Sequence, residues 1–383
     1  MHCNDPTSAR QAMCFHFDPK ISPSRAFVQF PQTFHNLSEN DIYDSENRLI
    51  FRILWYGFDG LQGLGLFGTN FYIKREALYG ISLQKGFMYH SLVEDYFTGF
   101  KSLHYKGWKS VYLNPSRPQF LGTSTTDLNV LLTQGTRWGS GLAQVLFSKF
   151  SPPIYGLPRM SLLASMGYAE MASFSIYFFP LWCFATIPQL CLLNGIPLFP
   201  EVSDSKFYIF LFIFLSSLSK HLHEVLKTGG SIRMWRNEQR IWMIKGVTCY
   251  FYGTLNAIMS KLGLSEASFV PTNKAGDDEQ TKRHHMGIFD FQTSTMFLAP
   301  LVTLIILNIV AFFWGVLGMI TTGDWEKMFA QVLLSFYILI MSYAIIEGMV
   351  VRKDTGRIPP SVTMLSAILL ITFLSLGSIV LMY

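Results

Sequence analysis

The chain has 383 residues and a net charge of +5, and half of its residues are hydrophobic. Only 14% are charged, against about 25% in typical soluble proteins. This composition argues against a fully soluble protein and indicates contact with lipid. The basic residues form no long run, which excludes a basic arm that binds nucleic acid. The length exceeds that of one compact domain, so more than one region is expected.

The front of the chain, residues 1–155, predicts an α/β arrangement. Met1–Ser24 holds no apolar segment that could serve as a signal peptide, so this part is expected in the cytosol. Ala26–Phe30 and Gly107–Leu113 are typical of buried strands, and Asp95–Tyr105 predicts a helix between them.

Gln134–Phe150 ends the front region and predicts an amphipathic helix. Its larger apolar side chains recur at helical spacing, with Arg137 and Lys149 near the two ends. Such a helix could lie on the membrane surface. The pattern fits an ordinary helix packed against a core about equally well.

Long charge-poor stretches dominate residues 156–383, and a membrane-spanning helix needs about 20 apolar residues. Five stretches qualify: Ala172–Leu193, Phe207–Leu226, Phe297–Met319, Met328–Ile346 and Ser361–Tyr383. The loop 227–293 and the short loop before the last stretch are rich in Arg and Lys, which favours the cytosolic side. Five alternating spans satisfy that rule. Within the long loop, Ile232–Tyr250 predicts a second interfacial helix.

Glu94 directly precedes the predicted helix Asp95–Tyr105, and Asp95 is its first residue. The pattern alone favours capping, because a carboxylate at a helix start binds free backbone N–H groups. The functional alternative is that one carboxylate is a general base for a hydroxyl group.

Gln134-x-x-Arg137-Trp138 stands at the start of the predicted interfacial helix. On pattern alone, Arg137 and Trp138 would anchor that helix among lipid headgroups. In the functional alternative, Arg137 binds a diphosphate, because its planar guanidinium can bond two phosphate oxygens at once. Trp138 then stacks on a sugar ring.

In this order along the chain, these features resemble the plant cellulose synthase superfamily, which consists of processive-type family 2 glycosyltransferases. The cellulose synthase-like E and G groups are the most similar. The resemblance rests on several stretches: AFVQFPQ (Ala26–Gln32), LVEDYFTG (Leu92–Gly99), QGTRW (Gln134–Trp138), CLLNGIPLFP (Cys191–Pro200), WRNEQRIW (Trp235–Trp242) and LGLSEASF (Leu262–Phe269). It implies the second half of a GT-A-type α/β domain, residues 1–155, followed by a bundle of about five spans with interfacial helices and a cytosolic gating loop.

The resemblance also implies roles for individual residues in sugar transfer from a UDP-sugar with inversion. Asp95 would be the general base, with Glu94 beside it. Diphosphate and acceptor binding would fall to Gln134, Arg137 and Trp138, together with the gating-loop residues Phe269, Thr272 and Lys274. The segment Gly68, Thr69 and Asn70 would lie near the acceptor.

One departure from the family concerns the metal. The family holds Mg²⁺ or Mn²⁺ with a D-x-D motif, which would align immediately before Met1, so no metal ligand is expected in this chain. We therefore expect the polypeptide alone to have little or no transferase activity.

Three functions remain open at this stage. The first is synthesis of a β-glycan of the cell wall, and the second is transfer of glucuronic acid to a triterpenoid in saponin synthesis. The third is an inactive, truncated family member, which could still associate with homologous synthase subunits. The expected location is a multi-pass position in the Golgi membrane, or alternatively the endoplasmic reticulum, with the catalytic face in the cytosol.

Overall fold

The computed structural model describes residues 1–61, 63, 65–80, 86–88, 91–264 and 278–381, with side chains through Ser375. The described residues form six short strands: β1 (His2–Cys3), β2 (Arg25–Gln29), β3 (Thr33–Phe34), β4 (Phe71–Ile73), β5 (Lys109–Tyr112) and β6 (Phe120–Gly122). β2 lies between β4, which is antiparallel to it, and β5, which is parallel. β6 lies between β1 and β3 in the second sheet.

Both predicted strands are confirmed. The first is shifted by one residue to Arg25–Gln29, and the second is trimmed to Lys109–Tyr112. They pair directly, with Val28 opposite Val111. Every residue of the first strand is buried, including the polar Arg25 and Gln29 at its two ends, and burial on both faces fits the apolar run Ala26–Val28 between them.

Six helices accompany these strands: α1 (Ser8–Phe17), α2 (Trp55–Gly60), α3 (Arg75–Tyr79), α4 (Glu94–Phe97), α5 (Leu128–Leu146) and α6 (Pro152–Tyr155). The predicted helix Asp95–Tyr105 is confirmed in part, because α4 continues as a wide π-helical turn over Thr98–Leu103. Phe27, Trp55 and Tyr96 belong to one buried cluster that joins the sheet to α2 and α4.

The predicted bounds of the first interfacial helix are wrong. α5 begins at Leu128 because the Asp127 carboxylate caps it, accepting from the N–H groups of Asn129 at 2.6 Å and Val130 at 3.1 Å. It ends at Leu146 rather than Phe150. Gln134-x-x-Arg137-Trp138 therefore lies in the middle of a helix and does not open one.

The second half of the chain is helical: α7 (Leu162–Ser173), α8 (Phe178–Leu193), α9 (Ser205–Lys227), α10 (Ile232–Lys245), α11 (Phe251–Lys261), α12 (Asp278–His285), α13 (Thr295–Thr322), α14 (Trp325–Met341), α15 (Tyr343–Val350) and α16 (Pro360–Leu381). A 3₁₀ turn joins α7 to α8, so this apolar helix starts at Leu162, ten residues before the predicted span. A buried π-helical turn, Gly246–Tyr250, joins α10 to α11 and forms the last five residues of the predicted helix Ile232–Tyr250.

Three helical segments of the described chain are long and apolar enough to cross a membrane: Leu162–Leu193, Ser205–Lys227 and Thr295–Thr322. A fourth crossing results if α14 and α15, which meet at a bend of 66°, act as one span. α16 is apolar over Pro360–Ser375 but shorter there than a span requires. The structure thus supports three or four of the five predicted spans, and the fifth stays a prediction, as does the domain boundary at residue 155.

Candidate active site

The segment that carries Glu94 and Asp95 packs directly against the second half of α5. A Cβ atom added to Gly141 would lie 2.8 Å from Cγ1 of Val93 and 3.0 Å from Cβ of Leu92, so only glycine fits at this contact. Positions 134, 138 and 141 share one face of a helix because they are spaced by four and three residues. Gln134 and Trp138 therefore lie on the α5 face that meets the two acidic residues.

Asp95 is partly buried, and backbone N–H groups hold both of its carboxylate oxygens. Oδ2 accepts from the N–H of Gly68, and Oδ1 accepts from the N–H of Tyr96 at 2.7 Å. Burial raises the pKa of Asp95, these two N–H groups lower it in part, and the neighbouring charge of Glu94 raises it further. The net shift is upward, which makes Asp95 a stronger base than an ordinary aspartate.

The loop Gly68–Asn70, predicted to lie near the acceptor, is thereby brought next to the predicted base. Gly68 has a φ of +65° and Asn70 a φ of +67°, so both adopt the left-handed conformation. Thr69 is exposed, and its hydroxyl donates to Oδ1 of Asn70 at 3.1 Å. A Cβ atom on Gly68 would meet only the far end of the flexible Gln32 side chain. The loop therefore depends on glycine for its backbone angle rather than for space.

Gln29, at the end of β2, fixes this loop and was not singled out as a site residue by the sequence. Its fully buried amide Nε2 donates to the carbonyl of Thr69 at 2.7 Å, and its Oε1 accepts from the N–H of Phe67 at 3.3 Å. The sheet thus positions the loop, and the loop positions Asp95. The only available signal was the position of Gln29 inside the AFVQFPQ stretch.

Arg137 interacts electrostatically with both acidic residues. Burial lowers the pKa of Arg137, and the charges of Glu94 and Asp95 raise it in part. The guanidinium remains charged at any physiological pH. One face of the site therefore combines a partly buried carboxylate pair with a fixed positive charge, and Trp138, on the neighbouring position of α5, is 37% exposed.

Of the eleven predicted site residues, the structure brings together those around Asp95, Gly68 and α5. Phe269, Thr272 and Lys274 lie outside the described residues.

The residues described do not fit a metal centre. Within the described ranges, no three His, Cys, Asp or Glu side chains come together as ligands. Asp95 already uses each of its oxygens to accept a backbone hydrogen bond. No step of the chemistry below is therefore derived through Mg²⁺ or Mn²⁺.

The sequence profile of the cellulose synthase family matches residues 2–85 and 82–382, nearly the whole chain. The chain belongs to the cellulose synthase family. It is 39% identical to "Quillaic acid 3-O-glycosyltransferase CSL1" of Saponaria officinalis, with 93% of this chain and 60% of that protein aligned. It is 30% identical to "Cellulose synthase-like protein E2" of Oryza sativa subsp. japonica, over 96% of this chain and 55% of that protein.

A more distant relative in the same family is "Cellulose synthase A catalytic subunit 9 [UDP-forming]" of Oryza sativa subsp. indica. It is 25% identical to this chain, with 98% of the chain and 45% of the relative aligned. The chain thus spans about half the length of the relatives it matches. The predicted resemblance to the cellulose synthase superfamily is confirmed.

Proposed function

We propose that this chain carries the acceptor and leaving-group side of an inverting membrane glycosyltransferase that uses a UDP-sugar. The observation that carries the proposal is the juxtaposition of Asp95, held by the Gly68 loop, with Arg137 on α5. Inverting transfer needs a base on one side of the sugar and positive charge on the other. The partial α/β region at residues 1–155 is consistent with the second half of a GT-A-type domain.

In this mechanism Asp95 takes the proton from the attacking hydroxyl of the acceptor. The hydroxyl oxygen forms a bond to the anomeric carbon while the bond from that carbon to the diphosphate breaks, and UDP leaves. Arg137 offsets the negative charge that develops on the diphosphate, with Gln134 as a neutral hydrogen-bonding partner on the same α5 face. Trp138 stacks on the acceptor sugar or another flat apolar surface. Burial raises the pKa of Asp95, and the charge of Glu94 adds to that effect.

Two acceptor classes have support. A glycan acceptor is consistent with the cellulose synthase-like E relative and with the family as a whole. A triterpenoid acceptor is consistent with the more similar Saponaria relative, whose name specifies quillaic acid. We propose a location in the Golgi membrane, or alternatively the endoplasmic reticulum membrane, with Asp95 on the cytosolic side, and homologous synthase subunits as partners in the bilayer.

The test is a chimera, because the relatives are longer than this chain. Residues 2–382 replace the matching segment of the Saponaria protein, and the chimera is assayed in membranes with UDP-glucose or UDP-glucuronate. Quillaic acid is present in one series and absent in the other. A quillaic acid glycoside detected by mass spectrometry supports the triterpenoid acceptor. A polymer that is digested by a glycan-degrading enzyme supports the glycan acceptor.

Asp95→Asn is the decisive variant, since it keeps the shape of the side chain and removes the base. We expect it to lower turnover at least about 100-fold, whereas Asp278→Asn, at an exposed position on α12, retains full turnover. Equal activity of the Asp95→Asn and parent chimeras would refute the assignment of the base.

A further inference from the structure

Lysine and arginine side chains gather on the surface of the front region, where it meets the first membrane-spanning segment. Lys101 lies in the π-helical turn after α4 and Lys106 follows that turn, whereas Lys149 and Arg159 lie on either side of α6. Burial lowers the pKa of Lys101, and the charges of Lys149 and Lys106 lower it further. Like charges shift a pKa only when they are close together, so these three lysines form one basic cluster.

Aromatic rings orient the charged ends of these side chains. Nζ of Lys101 lies 3.8 Å from the centroid of the Phe150 ring, and Nζ of Lys149 lies 5.3 Å from the same centroid. Cζ of Arg159 lies 5.2 Å from the centroid of the Tyr105 ring. The negative face of an aromatic ring attracts a cation, so the rings hold these charges in place but do not neutralise them.

Within the described part of the chain, no salt bridge neutralises Lys101, Lys149 or Arg159. Over residues 96–169 of the sequence, Asp127 is the only acidic residue. Its carboxylate is already used to cap α5. The positive charge of this surface therefore remains available to an anion from outside the chain.

An exposed apolar edge adjoins the basic cluster. Ile154 of α6 is 75% exposed. Leu157, Leu162, Leu163 and Met166, which follow it along the chain, are also exposed. Exposed apolar side chains that lie together mark a surface that contacts a partner or a membrane. Here they lead into the first turns of a segment that is long and apolar enough to cross a membrane, so lipid is the expected contact.

The short helix α6 joins the apolar edge to the basic cluster. The ring of Tyr155 stacks on that of Tyr105 at a centroid distance of 4.2 Å, and its centroid lies 5.1 Å from that of Phe150. The hydroxyl of Ser165 in α7 donates to the carbonyl of Pro152 at 2.7 Å, which ties α6 to α7. Charged and apolar side chains therefore occupy neighbouring parts of one surface, as headgroup and acyl chains do in a phospholipid.

The length of the first membrane-spanning segment places this surface at the level of the lipid headgroups. Leu162–Leu193 has 32 residues, whereas about 20 are enough to cross the hydrocarbon core. Residues 171–193 hold no charged side chain and suffice for the crossing, and Glu170 directly precedes them. The first turns of α7, and α6 with them, therefore lie outside the hydrocarbon core, beside the headgroups.

We propose that Lys101, Lys149 and Arg159 bind the anionic headgroups of phospholipids, while Ile154 and Leu157 contact the acyl chains of the same leaflet. A negative charge next to apolar chains is what distinguishes such a lipid from a free phosphate ion. An acidic protein surface would match the charge but not the continuity of this edge with a membrane-spanning segment. In the proposed orientation the surface meets the cytosolic leaflet, which carries the anionic lipids. The site is separate from Asp95, and the proposal does not depend on the transferase chemistry.

The test uses the full chain in phosphatidylcholine nanodiscs that contain a small fraction of a photoactivatable phospholipid. One probe is a phosphatidylserine and the other a phosphatidylcholine, and both carry the same photoactivatable acyl chains. After irradiation, mass spectrometry locates the labelled peptides. We expect the serine probe to label residues 149–166 at least about fivefold more than the choline probe, because each basic residue near the membrane surface favours an anionic lipid by about that factor. Added salt should reduce this preference.

Lys149→Gln and Lys20→Gln form a matched pair, because both lysines are exposed and only Lys149 belongs to the basic cluster. We expect Lys149→Gln to lower the preference for the serine probe at least about twofold and Lys20→Gln to leave it unchanged. Ile154→Ser should reduce labelling by both probes to the same extent, since it removes an apolar contact and no charge.

Equal labelling of residues 149–166 by the two probes would overturn the proposal, as would an equal loss of preference in Lys149→Gln and Lys20→Gln. A lack of labelling there by both probes would also overturn it and would assign the surface to a protein partner. Loss of the preference when inorganic phosphate is added at constant ionic strength would assign the site to a free anion instead.

Discussion

Gly139 of α5 and Gly253 of α11 lie back to back, so the two helices touch through their backbones. A Cβ atom on Gly253 would lie 3.0 Å from the N atom of Ser140 and 3.0 Å from the carbonyl oxygen of Thr136. On Gly139 it would lie 3.6 Å from Cα of Gly253. Small residues allow such close crossings in soluble and membrane helices alike. This contact ties the helix of Arg137 to the bundle.

Gly253→Ala should push α5 and α11 apart. The new methyl group meets backbone atoms, which cannot rotate away, and overpacking of this kind costs about 1–3 kcal/mol of unfolding free energy. Thermal unfolding of the purified protein in detergent measures the loss. Gly318→Ala in α13 is the control, because nothing lies within 4 Å of its Cβ position. An equal effect of the two substitutions would show that the crossing is looser than described.

Gly141→Val should disturb the site more than the fold. The side chain would collide with Leu92 and Val93, and the shift would move Glu94 and Asp95 relative to Arg137. We expect turnover of the chimera to fall at least about tenfold, since small misplacements of reacting groups are costly. Gly57→Ala, with nothing within 4 Å of its Cβ, is the matched control. Unchanged turnover in Gly141→Val would contradict the positioning role of this contact.

Glu94→Gln should move the acid limb of the pH–activity profile to lower pH. The proposed base acts only when ionised, so we expect activity to be lost as the pH falls through the pKa of Asp95. Burial and the charge of Glu94 both raise that pKa, so the limb of the parent protein should lie above the value of about 3.9 for an unperturbed aspartate. Removing the Glu94 charge lowers the pKa and extends activity to more acidic conditions.

Initial rates across an acidic pH series, with saturating donor, measure this shift. Glu46→Gln, at an exposed position, should leave the profile where it is. A limb that moves to higher pH in Glu94→Gln, or does not move at all, would contradict the contribution of Glu94 to the pKa of Asp95.

Glu238→Gln should destabilise the protein strongly, because it leaves Arg48, only 2% exposed, without its counter-charge. Loss of one partner of a buried pair costs about 3–5 kcal/mol of unfolding free energy. Replacing both partners, with Arg48→Met and Glu238→Leu together, should recover much of that loss. The free energies of unfolding of the parent, the two single variants and the double variant complete the double-mutant cycle. A double variant that is less stable than either single one would contradict the pairing.

The sequence predicted well those features that depend on local pattern. Arg25–Gln29 is buried on every side, and its apolar run marked it as a strand. The long apolar runs likewise located α8, α9 and α13. The start of α5 was also encoded, since Asp127 precedes the apolar Leu128 as a capping residue should. The apolar spacing used for the prediction begins only after Gln134, so the predicted helix starts later than α5 does.

Other features depend on partners distant in sequence. Gln29 is one polar residue in an apolar strand, and its role appears only when the loop of Thr69, 40 residues later, folds onto it. Arg48 and Glu238 are 190 residues apart. The 66° bend between α14 and α15 falls at Ser342, where neither proline nor glycine signals a break. Such features are products of tertiary packing.

A short chain of contacts connects Asp95 to the membrane helices. Val93 rests on α5 at Gly141, α5 rests on α11 at Gly253, and the hydroxyl of Tyr252 donates to the carbonyl of Met296 at 2.8 Å, at the start of α13. The links are a side-chain contact on a glycine, a backbone contact between two helices and a hydrogen bond. The carboxylate therefore sits at one set depth relative to α13. In the proposed reaction, an acceptor has to bring its hydroxyl group to that depth, whether it comes from water or from lipid.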